Sequence, residues 1–252
     1  MLTQDRYRSI RVDRRDAVAV LTLNRQEHGN SVDDTMHSEL STVFADARRD
    51  NEIRVIVLTG AGDTFCSGGD SSPDRTFTTL TGLTPIEEAE RIVGSLLDLR
   101  QPLIAAVNGP ALGLGAILAS LADASFMARS ASIGDRHVAG GVTAGNGSAA
   151  LWPLLVGVNR AKCLLLDAAV LTAEQAAHIG LVHEVVDDGR ALDAALALAE
   201  RWAAMPSFAM QSTKAVLNAH LRDAATMALR YGLALEEQAL TGPEFDAVRK
   251  GR

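Results

Sequence analysis

Apolar and polar positions alternate along the chain in two distinct rhythms. Short, nearly continuous apolar runs are bounded by turn residues: "AVAVLTLN" (17–24), "RVIVLTG" (54–60), "PLIAAVNG" (102–109) and "ASFMAR" (124–129). Runs of this length and β-branched content predict strands buried on both faces. "YRSIRVDR" (7–14) is more polar and predicts a strand joined to 17–24 by a short charged turn; "LVHEVVD" (181–187) predicts a last one. Between them lie stretches with helical spacing. The segment 31–50 predicts a helix with Ser31 as its cap, Asp33 and Asp34 in the first turn, and Arg48 and Arg49 in the last. Pro85 opens a helix running to about Arg100. Further helices are expected over 112–123, over 146–168 with an interruption near Gly157, and over 172–180 with Gly180 at the C-cap. From Arg190 to Ala239 the pattern is almost wholly helical, broken near Pro206. Single strands alternating with helices predict an α/β class. Periodicity alone does not choose between a doubly wound sheet and a stacked spiral.

Two of the predicted strands end in glycine-rich loops. "GDTFCSGGDSS" (62–72) follows the strand at 54–60, and "NGPALGLGAI" (108–117) follows the one at 102–109. A helix start carries unpaired N–H groups, and glycine lets a ligand atom approach them. Two such loops from neighbouring strands can aim one amide each at a single oxygen and so form an oxyanion hole. The same glycines can instead serve tight strand–helix packing. A dinucleotide fingerprint is rejected, because glycines 109, 113 and 115 lie mid-chain in a different order of spacings, and no P-loop is present.

Composition narrows the classes. With 252 residues, 47% of them apolar, the chain can build one large core. A net charge of −7 argues against nucleic acid as the main partner. No apolar run is long enough for a membrane span, and the charged N-terminal stretch lacks a signal-peptide core, so a cytoplasmic address is expected. The two cysteines, Cys66 and Cys163, suit neither a disulfide framework nor a metal spacing. Cys66 reads as a small packed residue, since nothing nearby in sequence supplies a base for it.

Taken in order, "LTLNRQEHGNSV", "RVIVLTGAGDTFCSGGD", "PLIAAVNGPALGLG" and "LTAEQAAHIGLVHEVV" resemble the crotonase (enoyl-CoA hydratase/isomerase) superfamily over roughly residues 5–220. The resemblance implies a crotonase-like spiral of repeated ββα units (1–190) followed by a helical C-terminal trimerisation segment (191–252). It implies a homotrimer or dimer of trimers acting on an acyl-coenzyme A thioester, with coenzyme A as part of the substrate and neither a separate cofactor nor a metal. The oxyanion donors it implies are the N–H groups of Gly69 and Leu114. Ser67, Gly68, Asp70, Ser71, Ser72 and Gly113 would line the coenzyme A and thioester site, Gln26 and Asn30 would border the adenine and pantetheine, and Lys214 would stand near the phosphates or serve as a solvated surface cation.

The chain departs from the hydratase pattern at both acids. Ile117 stands where such members have the first glutamate, and His137 where they have the second. Ile117 cannot transfer a proton, whereas histidine can near neutral pH. His137 is therefore the expected proton carrier. Asp135 could orient its imidazole, although residues two apart in an extended segment are expected to point to opposite faces. Asn146 stands where some members carry an acidic residue, and it can bond but not titrate. A histidine in this segment, with "WP" at 152–153, is similar to carbon–carbon hydrolases of cyclic β-diketones. Glu236, in the C-terminal helical segment, could supply a carboxylate, but is expected at the solvent or an intersubunit face. Three readings follow: an isomerase or atypical hydratase working through His137, a β-diketone or thioester hydrolase, and a non-catalytic coenzyme A-binding subunit.

Overall fold

The computed structural model describes residues 2–70, 72 and 76–250. Its main sheet has six strands in the order β1-β2-β3-β4-β6-β9, with β1 (Ile10–Arg15), β2 (Val18–Leu23), β3 (Val55–Gly60), β4 (Leu103–Val107), β6 (Ala124–Ala128) and β9 (Glu184–Val186). Only β1 runs antiparallel; it is the edge strand and is largely exposed. β2, β3, β4 and β6 are buried along their whole lengths. Both faces of this parallel sheet are covered, so alternation disappears from those strands. One face packs on α1 (Asp34–Arg49) and α3 (Leu114–Ser120). The other face, carrying Val20, Val57 and Ile104, packs on Ala195, Leu196 and Ala199 of α7 (Ala191–Ala203).

A second sheet escaped the sequence pattern. It joins β5 (Ala111–Leu112), β7 (Ser132–Gly134) and β8 (Val170–Thr172). Strands of two or three residues are too short to carry a period. Isolated bridges from Val32 to Gly69 and from Cys66 to Ala111 extend the same layer. Each turn of the spiral thus leaves the main sheet, runs briefly beside its predecessor in this layer, and turns into a helix. This is the fold expected from the resemblance.

Helix bounds follow local chemistry. Asp33, not Ser31, caps α1, with its carboxylate accepting from Met36 N at 2.8 Å. Thr84 and Glu87 form a reciprocal capping box at the start of α2 (Pro85–Leu97), and Pro85 occupies the first turn. Gly157 separates α4 (Ser148–Val156) from α5 (Val158–Leu166). Thr172 and Gln175 cap α6 (Ala173–His178) in the same reciprocal way. The long α8 (Ser207–Leu240) packs on α2 and α4, and α9 (Pro243–Lys250) follows it. Among the described residues no helix is long and apolar enough to cross a membrane.

Candidate active site

The small sheet brings the two glycine loops together. Cys66 N donates to Pro110 O at 3.0 Å, Leu112 N to Cys66 O at 2.8 Å, and Gly113 N to Gly134 O at 2.9 Å. The chain segments ending in Gly69, Leu114 and His137 therefore run side by side and stop at one level. Gly113 sits at φ 54°, ψ −120°, a conformation open to glycine and strained for other residues. A Cβ built there would lie 3.5 Å from Gly68 Cα and 3.7 Å from His137 Cε1. Asn108 ties the loops from below: its Oδ1 accepts from Gly60 N at 3.0 Å, and its Nδ2 donates to Gly62 O at 2.9 Å.

Above this junction lies a cavity of about 280 Å³. The first loop contributes Ser67, Gly68, Gly69 and Asp70 to its wall, and the second contributes Gly113 and Leu114. His137 and Asn146 complete the polar side. The amides of Gly69 and Leu114 donate to no acceptor among the described residues, although the amides flanking them on either loop, Asp70 and Gly113, are bonded. Phe77, Ile86, Ala89, Leu240 and Phe245 make an apolar side.

His137 is held by Asp135. Its Nδ1 lies 2.5 Å from Asp135 Oδ1, and its backbone N donates to the same oxygen at 3.0 Å. The expectation that Asp135 would face away is thus corrected. The chain stops being extended at Gly134, and His137 has helical angles (φ −56°, ψ −47°), so residues two apart fold back on one another. On the other side of the ring, Asn146 Nδ2 lies 3.1 Å from Nε2, and Glu236 Oε1 lies 3.9 Å from it. Glu236 is a second correction. It is 8% exposed and forms part of the cavity wall, neither solvated nor at an outer face. The reason lies one helical turn away. Gly232 of α8 packs against Gly145, where a Cβ on Gly145 would come within 2.1 Å of Gly232 O. This glycine contact lets α8 close on the 145–147 loop, and residue 236 shares the face of residue 232.

Charge in this cluster is shifted from ordinary values. Burial pulls the His137 pKa down, but the hydrogen bond and charge of Asp135, with Glu236 beyond, outweigh it and push it up to about 9. Burial pushes Glu236 up to about 7, against the pull of the His137 charge. Burial also raises Asp135, yet its bonds to His137 hold it below the usual carboxylate range. Among the described residues, Asn146 Oδ1 is buried without a hydrogen-bond partner, while Ser148 bonds Asp135 and the backbone N–H groups of Gly145 and Asn146 bond Glu236.

Other expected residues lie elsewhere. Asn30 is fully buried, with Oδ1 accepting from Arg25 N at 2.9 Å and Nδ2 donating to Ala61 O at 2.9 Å and Thr64 O at 2.6 Å. All its donors and its carbonyl are engaged with the backbone, so it pins the loop and has nothing left for a ligand. Gln26 is exposed on a short 3-10 turn outside the cavity wall. Ser72 lies outside the wall too; its N–H donates to Asp70 Oδ1 at 2.9 Å, and its carbonyl accepts from Arg249 at 3.2 Å. Ser71 falls outside the described residues. Lys214 is buried at the opposite, N-terminal edge of the main sheet, bonded to Asp123 at 2.5 Å and Gln101 O at 2.9 Å. The cations on the cavity wall are instead Arg136 and Arg249. Ile117 is buried with its side chain against Gly147. Cys66 is buried and its thiol is pushed up to about 11 by that burial, which fits a packing role. Trp152 is core, donating to Ser120 Oγ at 3.0 Å.

Comparison with known proteins agrees with this architecture. The family model described as enoyl-CoA hydratase/isomerase matches residues 13–248. The chain belongs to the enoyl-CoA hydratase/isomerase family. It is 37% identical over 235 residues to 1,2-epoxyphenylacetyl-CoA isomerase of Escherichia coli, covering 91% of this chain and 88% of that one. It is 35% identical to (E)-benzylidenesuccinyl-CoA hydratase of Thauera aromatica, covering 78% and 77%. Among solved structures, an enoyl-CoA hydratase/isomerase from Mycobacterium paratuberculosis superimposes with a TM-score of 0.92 at 34% identity, covering 97% of this chain and 98% of that one. This family member is therefore an enzyme of the hydratase/isomerase class.

Proposed function

We propose that this enzyme moves protons on an acyl-coenzyme A thioester, with the thioester oxygen seated between the amides of Gly69 and Leu114. The carrying observation is the Asp135–His137 pair, closed at 2.5 Å, in the wall of the cavity that those two acceptor-less amides share. Polarising the carbonyl lets electrons flow onto oxygen when a proton leaves the neighbouring carbon. Donors placed in advance on that oxygen are worth on the order of 3–4 kcal/mol each in the transition state. Arg136 and Arg249 supply positive charge for the coenzyme phosphates in an otherwise acidic chain.

Two titrating groups divide the proton work. Glu236, with its lower pKa, is the base above about 7, and His137, with its higher pKa, is the acid below about 9. In a double-bond shift Glu236 takes a proton from carbon, the enolate forms on the thioester oxygen, and His137 returns a proton to a different carbon. The 3.9 Å between Glu236 Oε1 and His137 Nε2 lets the proton pass back and restores the start. In hydration the proton Glu236 takes comes from water instead. Ile117 leaves the two-glutamate route without its first acid.

The test is a kcat/KM profile against pH with a conjugated and a non-conjugated enoyl-CoA. A bell with limbs near 7 and 9, belonging to the coupled pair, is expected. A flat profile, or an unchanged rate in His137→Gln, overturns the reading. Which thioester disappears and which forms separates isomerisation from hydration.

One observation favours a second reading, hydrolysis of a β-diketone or thioester. The observation is the Asp135–His137 pair itself, with His137 in the cavity wall: such a pair can activate a water. Acid released from a cyclic diketone without coenzyme A would establish it. The row of exposed apolar residues Phe208, Val216, Met227 and Tyr231 on α8 supports self-association, with a trimer mass in light scattering as its check.

A further inference from the structure

The cavity wall carries a second histidine, which the proton chemistry does not use. His37 lies in the first turn of α1, and its Nδ1 is 2.7 Å from Glu88 Oε2 on α2. Glu88 is fully buried and also accepts from Ser38 Oγ at 2.7 Å and Thr81 Oγ1 at 2.6 Å. Burial raises its carboxyl, but these donors outweigh it and keep Glu88 ionised. An ionised acceptor at Nδ1 fixes the proton there and leaves Nε2 as the group the ring presents elsewhere. Nε2 has no partner among the described residues, and the ring forms part of the cavity wall beside Pro85, Ile86 and Ala89. The His37 side chain is 13% exposed, so Nε2 is open to the cavity and available to a ligand's polar group.

A structural role explains only half of this pair. Nδ1 satisfies Glu88, yet a residue needed only for that would not have to place a second polar atom against the cavity. We propose that His37 reads the acyl group: its Nε2 hydrogen-bonds a second oxygen function, hydroxyl or oxo, carried by the acyl chain away from the thioester. The neutral ring accepts from a hydroxyl, and the imidazolium donates to a carbonyl oxygen. Glu88 is the positioning residue that holds the ring. An apolar acyl chain packed against the ring displaces water from Nε2 without replacing its hydrogen bond, so a chain lacking that oxygen binds less well.

The inference rests on the acyl-thioester reading, and the experiment separates the two. Dissociation constants are measured by calorimetry for hexanoyl-CoA and for its 5-hydroxy, 6-hydroxy and 5-oxo derivatives. The wild-type protein is expected to bind at least one oxygenated thioester about tenfold more tightly than hexanoyl-CoA, a difference of roughly 1.4 kcal/mol. His37→Asn places an amide donor where Nδ1 stood, keeping Glu88 satisfied, and withdraws Nε2. It should erase that preference while leaving hexanoyl-CoA affinity and the melting temperature close to wild type. A role confined to structure would weaken all four ligands together. Equal affinities in the wild-type protein, which need no variant to measure, overturn the inference, as does a preference that survives in His37→Asn. Failure of every thioester to bind, hexanoyl-CoA included, overturns the acyl-coenzyme A reading and this inference with it.

Discussion

Buried charges occur in two regions at opposite edges of the main sheet, and they are treated differently. At the N-terminal edge, Lys214 Nζ bonds Asp123 and Gln101 O, while Asp123 Oδ2 also accepts from Leu103 N at 2.7 Å. Asp50, beside the end of β1 at the same edge, accepts from Leu2 N at 3.0 Å and from Arg14 Nη2 at 2.5 Å. These groups are occupied by the protein itself and hold segments in place. At the C-terminal edge, Asp135, His137, Asn146 and Glu236 are just as enclosed, yet His137, Asn146 and Glu236 form part of a cavity wall. Burial does not mark a functional site; burial in a cavity wall beside titrating groups shifted from their ordinary values, as at His137 and Glu236, does. The C-terminal edge is also where successive strands of a parallel sheet release their loops, so groups distant in sequence can meet there.

That contrast can be broken most directly at His137. His137→Gln, whose amide can still donate to Asp135, should lower kcat by about 10³-fold, within the range of a lost general acid, with a smaller effect on melting temperature than on rate. A large loss of stability with activity intact would place the histidine among the architectural groups. Lys214→Ala should do the opposite. Leaving Asp123 uncompensated at a partly open site should cost about 3 kcal/mol of unfolding free energy in urea titration, with kcat/KM unchanged.

Glu236→Gln sharpens the comparison through pH. The folded-state pKa of Glu236 is raised to about 7, so ionising it opposes folding. That penalty is absent below the unfolded value near 4.5, grows as pH rises, and is complete above about 7. The variant should therefore match wild-type stability at pH 4 and exceed it at pH 8, by on the order of 2 kcal/mol, while losing the acidic limb of the rate profile. Equal stabilities at both pH values would show that the carboxylate is relaxed in its site. The smallest effect is expected at Thr172, whose side chain caps α6 far from the cavity. Thr172→Ala should cost about 1 kcal/mol and leave activity unchanged.

Much of the candidate site, the residues that the structure gathers in one cavity wall, was legible because its parts are local. The glycine loops follow strong apolar strands, so 69 and 114 could be named from residues close to them, and His137 from the motif it interrupts. Asp135 was misjudged because an extended chain was assumed where the backbone turns. Asn30 was misjudged because a polar loop residue reads the same whether it faces a ligand or two buried carbonyls. Glu236 and the His37–Glu88 pair had no local signal: Glu236 is 99 positions from His137, and only the Gly145–Gly232 contact brings it there.

The sequence by itself determined the succession of buried strands and capped helices and the places where the backbone is left open to a ligand. These depend on interactions spanning a few residues. Tertiary structure alone decided which polar side chains would be enclosed together and which of them would be left wanting a partner. Both outcomes depend on the approach of helices separated by most of the chain, and on where the surrounding protein runs out of donors and acceptors.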